Sequence, residues 1–147
     1  MVAPSTAPFA ARLGSTWRAS SSRPRVAVDT TGGDFAPRNV VDGALEAVRY
    51  AEVGVALVGA PGLLITELER HPDAGSLDVG VVAAPEAVAM DEPPTAVLRR
   101  KPAVAVRVAA ELVADGEAGG FFSAGNIGAM VLAAHTALGR LPGDCED

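Results

Sequence analysis

From Arg25 onward the chain alternates short apolar runs with longer segments in which apolar residues recur at helical spacing. That alternation is the pattern of βαβ units and predicts an α/β fold, an open and mainly parallel sheet with helices on both faces. Val26 to Val28 reads as the first strand and runs into Asp29, Thr30, Thr31, Gly32, Gly33 and Asp34. A helix follows, with Pro37 in its first turn and Val40, Val41, Ala44, Leu45 and Val48 on one face. Val53 to Val58 predicts a second strand, Leu63 to Arg70 a short helix, and Leu77 to Ala83 a third strand. The stretch through Pro85, Met90, Asp91, Pro93 and Pro94 reads as a loop too rich in proline for regular structure. A helix is expected from Pro102 to Ala114, with Val104, Ala105, Val108, Ala109, Leu112 and Val113 facing the core. Gly119 to Phe122 offers a strand, and Ser123 to Ala129 is the turn out of it. The last helix is expected to bury Ile127, Met130, Val131, Ala134 and Leu138.

Composition narrows the function classes. With 147 residues, 49% of them hydrophobic, the chain suits one modest domain with a real core. A formal net charge of -6 argues against a nucleic-acid surface, which needs clustered cations to neutralise phosphates. The single cysteine, Cys145, forms neither an internal disulfide nor a multi-thiolate metal site, which suits a reducing, cytoplasmic setting. No apolar run reaches the roughly 20 residues that span a bilayer. Residues 1–24 carry Arg12, Arg18 and Arg23 among Ser, Ala and Pro, without an acid. A transit peptide has that composition, but Pro4, Pro8, Pro24 and the Ser20 to Ser22 run favour a disordered extension.

Two glycine-bearing turns carry the chemical information, because each lies between a strand and a helix, where ligands of parallel sheets collect. Unpaired N–H groups at such a helix start hold an anion without a cationic side chain, and glycine removes the Cβ that blocks approach. Gly32, Gly33 and Asp34 fit either this role or a plain tight turn. Ser123, Gly125, Asn126 and Gly128 combine hydroxyl, amide and glycine at a helix start, and fit either an anion site or a simple N-cap. The spacings of a P-loop, a dinucleotide fingerprint and a hydrolase elbow are all missing from the sequence. His71 reads as a helix-end residue capping carbonyls or facing solvent, and His135 as partly buried against an apolar face. Arg99, Arg100 and Lys101 form the cationic cluster, either solvated surface or a contact for an acidic partner.

The string from Val26 through Asp29, Gly32, Gly33 and Asp34 to Pro37 resembles the opening signature of the PlsX phosphate acyltransferases. Val41 to Ala44, Met90 to Lys101, Arg107 to Val113 and Phe122 to Ala129 are similar to family segments in the same order. The resemblance covers residues 25–143, the N-terminal part of a family member, and leaves 144–147 as an unrelated acidic tail. It implies the fold of the isocitrate and isopropylmalate dehydrogenases and of phosphotransacetylases, present here in truncated form. It further implies transfer of a fatty acyl group from acyl carrier protein to inorganic phosphate, giving acyl phosphate for fatty acid and phospholipid synthesis. No cofactor or metal is implied; the intact enzyme is expected to be a cytoplasmic homodimer with peripheral membrane association.

Phosphate is already an anionic nucleophile, so placement and oxyanion stabilisation should dominate over proton removal. Gly32, Gly33, Asp34, Ser123, Gly125, Asn126 and Gly128 are therefore the expected phosphate or acyl phosphate site, with no single catalytic residue assigned. Arg99, Arg100 and Lys101 are the expected docking contact for the acidic carrier protein. The sequence departs from the family where Phe35 replaces a His, Ile127 a Thr, and Val104 and Ala105 a pair of serines. A phosphotransacetylase-like enzyme on the same fold remains one alternative, these losses and the acidic tail support another, a non-catalytic remnant, and the chain by itself is expected to be inactive.

Overall fold

The computed structural model describes residues 23–86, 91–101 and 103–140. The tail at 144–147, Met90, Pro102 and most of the N-terminal extension lie outside these residues. Four strands, β1 (Arg25–Asp29), β2 (Gly54–Gly59), β3 (Val79–Ala83) and β4 (Gly120–Ser123), form a sheet of order β3-β2-β1-β4. Every pairing is parallel, as the βαβ pattern requires. Among the described residues, four α-helices lie between them, α1 (Arg38–Tyr50), α2 (Pro61–Glu69), α3 (Pro94–Arg100) and α4 (Ala105–Ala114), and a fifth, α5 (Ile127–Leu138), follows β4.

Strand alternation divides the core in two. Val28, Val55, Leu57, Val79 and Val81 point to one face, where they pack with Val41, Leu45 and Val48 of α1 and Leu64 and Leu68 of α2. Ala27, Ala56 and Val58 point to the other and pack against Ala105, Ala109 and Leu112 of α4. Every residue of β2 is buried because helices cover both its faces, which is why its sequence is continuously apolar.

The expected buried face of α1 is the observed one, whereas on that of α5 only Met130 and Ala134 are even partly buried. Ala129 and Ala133 are the buried residues of α5, packed with Val104, Val106 and Ala110, while Ile127 is 72% and Val131 60% exposed. Leu138 is also exposed. Small side chains let α5 approach α4 closely, and an all-round apolar helix gives no periodic signal of which face does so. His135, expected to be partly buried, is exposed on this helix.

The proline-rich stretch expected to be irregular contains α3, whose first residue is Pro94. Proline is well suited to that position because its fixed φ matches the helix and its missing N–H would have had no partner. The following helix starts later than expected, at Ala105, since Val104 is extended and pairs with Glu86 in an isolated bridge.

Polar side chains tie α1 to the end of α2. Arg49 binds Asp73 through Nε and Nη2, each at 2.8 Å, and its Nη2 lies 3.2 Å from His71 Nδ1. A guanidinium only donates, so Nδ1 accepts and the Nε2–H of His71 donates to Asp42 Oδ1 at 2.7 Å. His71 is thus neither a carbonyl cap nor a solvent-facing group. Burial opposes ionisation of Asp42, but hydrogen bonds from His71 and Arg70, with the Arg70 charge, outweigh it and hold the carboxyl below its ordinary range.

Candidate functional site

Parallel pairing brings the ends of β1 and β4 together, with Asp29 in register with Ser123. Side chains at paired positions project to the same face, and Ser123 Oγ accordingly donates to Asp29 Oδ2 at 2.7 Å. The other carboxylate oxygen, Oδ1, accepts from the N–H of Thr31 at 2.9 Å and from its hydroxyl at 2.6 Å. Asp29 is only 3% exposed, so its charge is satisfied by these donors rather than by water. Thr30 N–H and Oγ1 both donate to Val58 O, at 3.0 and 2.9 Å, which anchors the same turn to β2.

The two glycine turns meet backbone to backbone. A Cβ on Gly32 would lie 2.5 Å from Gly125 Cα and 3.0 Å from Ala124 C, contacts that only a glycine avoids. Gly33 has φ +98°, a conformation glycine adopts without strain. At the start of α5, Asn126 Oδ1 caps the helix by accepting from Ala129 N–H at 3.0 Å, and its Nδ2 donates to Glu92 O at 3.2 Å. A Cβ on Gly128 would meet Pro94 Cγ at 2.7 Å, so α3 also closes on this turn.

These contacts redistribute the roles expected of the site residues. The Ser123 proton is directed to Asp29, Gly125 N–H is directed to Ser123 Oγ at 3.2 Å, and the Asn126 side chain serves cap and loop. The N–H groups of Gly32, Gly33, Ile127 and Gly128 bond to no described residue; the last two belong to the first turn of α5, where helical partners do not exist. Asp34 is exposed beside them. Of the replaced family positions, Phe35 and Ile127 are both 72% exposed, while Val104 and Ala105 are wholly buried and pack in the core.

Sequence reasoning did not single out Asp29. Its signal was an acid ending an apolar strand immediately before Thr-Thr-Gly-Gly, but its hydroxyl partner comes from a strand far along the chain. Of the cationic cluster, Arg99 and Arg100 are exposed at the end of α3 and Lys101 Nζ pairs with both oxygens of Glu92 at 3.0 Å. Six helical steps place Arg100 about 9 Å along α3 from Pro94, which touches the site.

Beside the glycine turns, an apolar hollow of about 580 Å³ lies between α1 and the sheet. Val28, Phe35, Val40, Ala47 and Phe122 line it, together with Gly32 and Gly33 of the first turn. Among the described residues no helix is long and apolar enough to cross a membrane.

Fold and site together define a parallel α/β protein whose candidate ligand site, at the carboxyl ends of adjacent strands, is built from backbone N–H groups. A family model described as a fatty acid synthesis protein matches residues 24–143, and the chain belongs to this family, the PlsX family of acyltransferases. Over 119 residues it is 44% identical to a phosphate acyltransferase of Gloeobacter violaceus, covering 81% of this chain and 34% of that protein. It is 46% identical to a phosphate acyltransferase of a Synechococcus species, covering 81% of this chain and 32% of the relative. With one from Nostoc punctiforme it shares 43% identity, covering 84% of this chain and 36% of the relative. The chain thus spans about a third of the length of the curated relatives it matches.

Proposed function

We propose that this chain supplies the phosphate-binding wall of an enzyme that transfers a fatty acyl group from acyl carrier protein to inorganic phosphate, releasing acyl phosphate for lipid synthesis. The observation that carries this reading is the close packing of Gly32 on Gly125, which sets against each other two turns whose Gly32, Gly33, Ile127 and Gly128 N–H groups bond to no described residue. Phosphate held by such amides is positioned for attack, and the same dipoles oppose the charge that develops on the acyl oxygen. The apolar hollow beside Gly32 and Gly33 has the chemistry of a seat for the hydrocarbon tail, since the acyl carbon must reach the phosphate. Arg99 and Arg100 give an acidic carrier protein an exposed cationic landing point near the site.

Titration of the labelled chain with inorganic phosphate, followed by amide NMR, tests the site. The Gly32, Gly33, Ile127 and Gly128 N–H resonances should move together along one saturable curve. Movement confined to other parts of the chain, or none, would overturn the assignment.

A further inference from the structure

We infer that Asp29 is a positioning residue that makes Ser123 a proton acceptor toward the ligand, so that the site selects oxyanions carrying an O–H, such as hydrogen phosphate, over fully deprotonated ones such as sulfate. The inference rests on the phosphate site proposed above. A serine hydroxyl has one proton and two lone pairs. Here the proton goes to Asp29 Oδ2 at 2.7 Å and one lone pair accepts the Gly125 N–H at 3.2 Å. What Ser123 retains for a third partner is a lone pair. Asp29 cannot release that proton by turning away, because its other oxygen is held by both donors of Thr31 and the residue is enclosed by its neighbours, being 3% exposed.

The acceptor sits where the two glycine turns meet. The position of a Cβ on Gly125 lies 3.1 Å from Gly32 Cα, 3.5 Å from Ser123 Oγ and 3.9 Å from Asp29 Oδ2, so carboxylate, hydroxyl and glycine turn converge. Hydrogen phosphate matches such a mixed set at neutral pH, with its bare oxygens on N–H groups and its O–H on Ser123. Sulfate has the same shape but no proton there, and would face a lone pair backed by a carboxylate. A site built to accept a ligand O–H rejects the analogue that lacks it, because the acceptor is then left unpaired.

The test compares inorganic phosphate and sodium sulfate at equal ionic strength and pH 7, by amide NMR titration of the 147-residue chain and two variants. The unaltered chain should favour phosphate by about tenfold or more. In Asp29→Asn the amide Nδ2 donates to Ser123 Oγ and turns the hydroxyl proton outward. Sulfate should then bind more tightly and the preference should fall to about threefold or less. Ser123→Ala should erase the preference by removing the acceptor that phosphate satisfies and sulfate does not, and melting curves identify any variant that has lost its fold. If the unaltered chain binds both ions equally, the phosphate site stands and the selectivity inference falls. If it binds neither, the site reading falls and takes the inference with it. A preference retained in folded Ser123→Ala also overturns the inference.

Discussion

Asp29 and Ser123 lie 94 positions apart in sequence and are joined by a 2.7 Å hydrogen bond at the paired ends of β1 and β4. This contact locks the two glycine turns into one site, and the strand pairing beneath it sets their register. The stability of the turns and the chemistry of the site are therefore coupled, and substitutions at the turns should report on both.

Gly32→Ala should be among the most damaging single-methyl additions in the chain, since its Cβ meets backbone atoms that cannot rotate away. A loss of about 3 kcal/mol or more is expected in urea unfolding. Gly43 is the contrast: it lies within α1, and a Cβ added there would meet nothing within 4 Å, so Gly43→Ala should gain up to about 1 kcal/mol. Equal effects at the two positions would contradict the backbone contact.

Asn126→Ala removes both the cap of α5 and the bond to Glu92 O, and should cost about 1 to 2 kcal/mol. Asn126→Asp keeps an oxygen for Ala129 N–H but has no proton for Glu92 O, so its loss should be smaller. Chemical denaturation of the three proteins ranks them. An aspartate variant as unstable as alanine would show that the bond to Glu92 O, not the cap, matters most.

Acid should loosen the link between α1 and α2. The Asp42 carboxyl is depressed by His71 and Arg70 against the opposing effect of burial, and Asp73 is depressed by its hydrogen bonds with Arg49. A depressed carboxyl stabilises the fold above its unfolded value, and that contribution disappears as pH falls through the lower folded value. Melting temperature should therefore drop as pH falls below about 4. Asp42→Asn should flatten part of that slope while changing stability at pH 7 by under about 1 kcal/mol, because the Asp42 carboxylate is itself partly open to solvent. An unchanged slope in the variant would remove Asp42 from the account.

Arg99→Glu with Arg100→Glu should slow association with an acidic acyl carrier protein several-fold at low salt, with the difference shrinking as ionic strength rises. Stopped-flow fluorescence across a salt series measures this directly. Lys101→Ala should have the smaller effect, since that ammonium is paired with Glu92. Rates insensitive to the double charge reversal would leave the cluster as solvated surface.

The parallel α/β architecture was legible because strands buried on both faces are continuously apolar and the flanking helix α1 repeats at helical spacing. The glycine turns were legible too, since their residue types mark the passage from strand to helix. The buried face of α5 was not: a helix apolar on nearly every side carries no direction, and close packing selected Ala129 and Ala133 over the larger Ile127 and Val131. Nor was α3, where local proline content concealed a helix that proline was suited to begin.

Local sequence by itself determined which residues form the strands and turns, because those preferences depend on neighbours a few positions away. Tertiary structure alone decided that β4 would pair beside β1, and with it that the Asp29 carboxylate would claim the Ser123 proton and Gly32 would press on Gly125. Hydrogen-bond direction and backbone contact are properties of atoms in space, and the 94-residue separation between these partners leaves no trace in local periodicity.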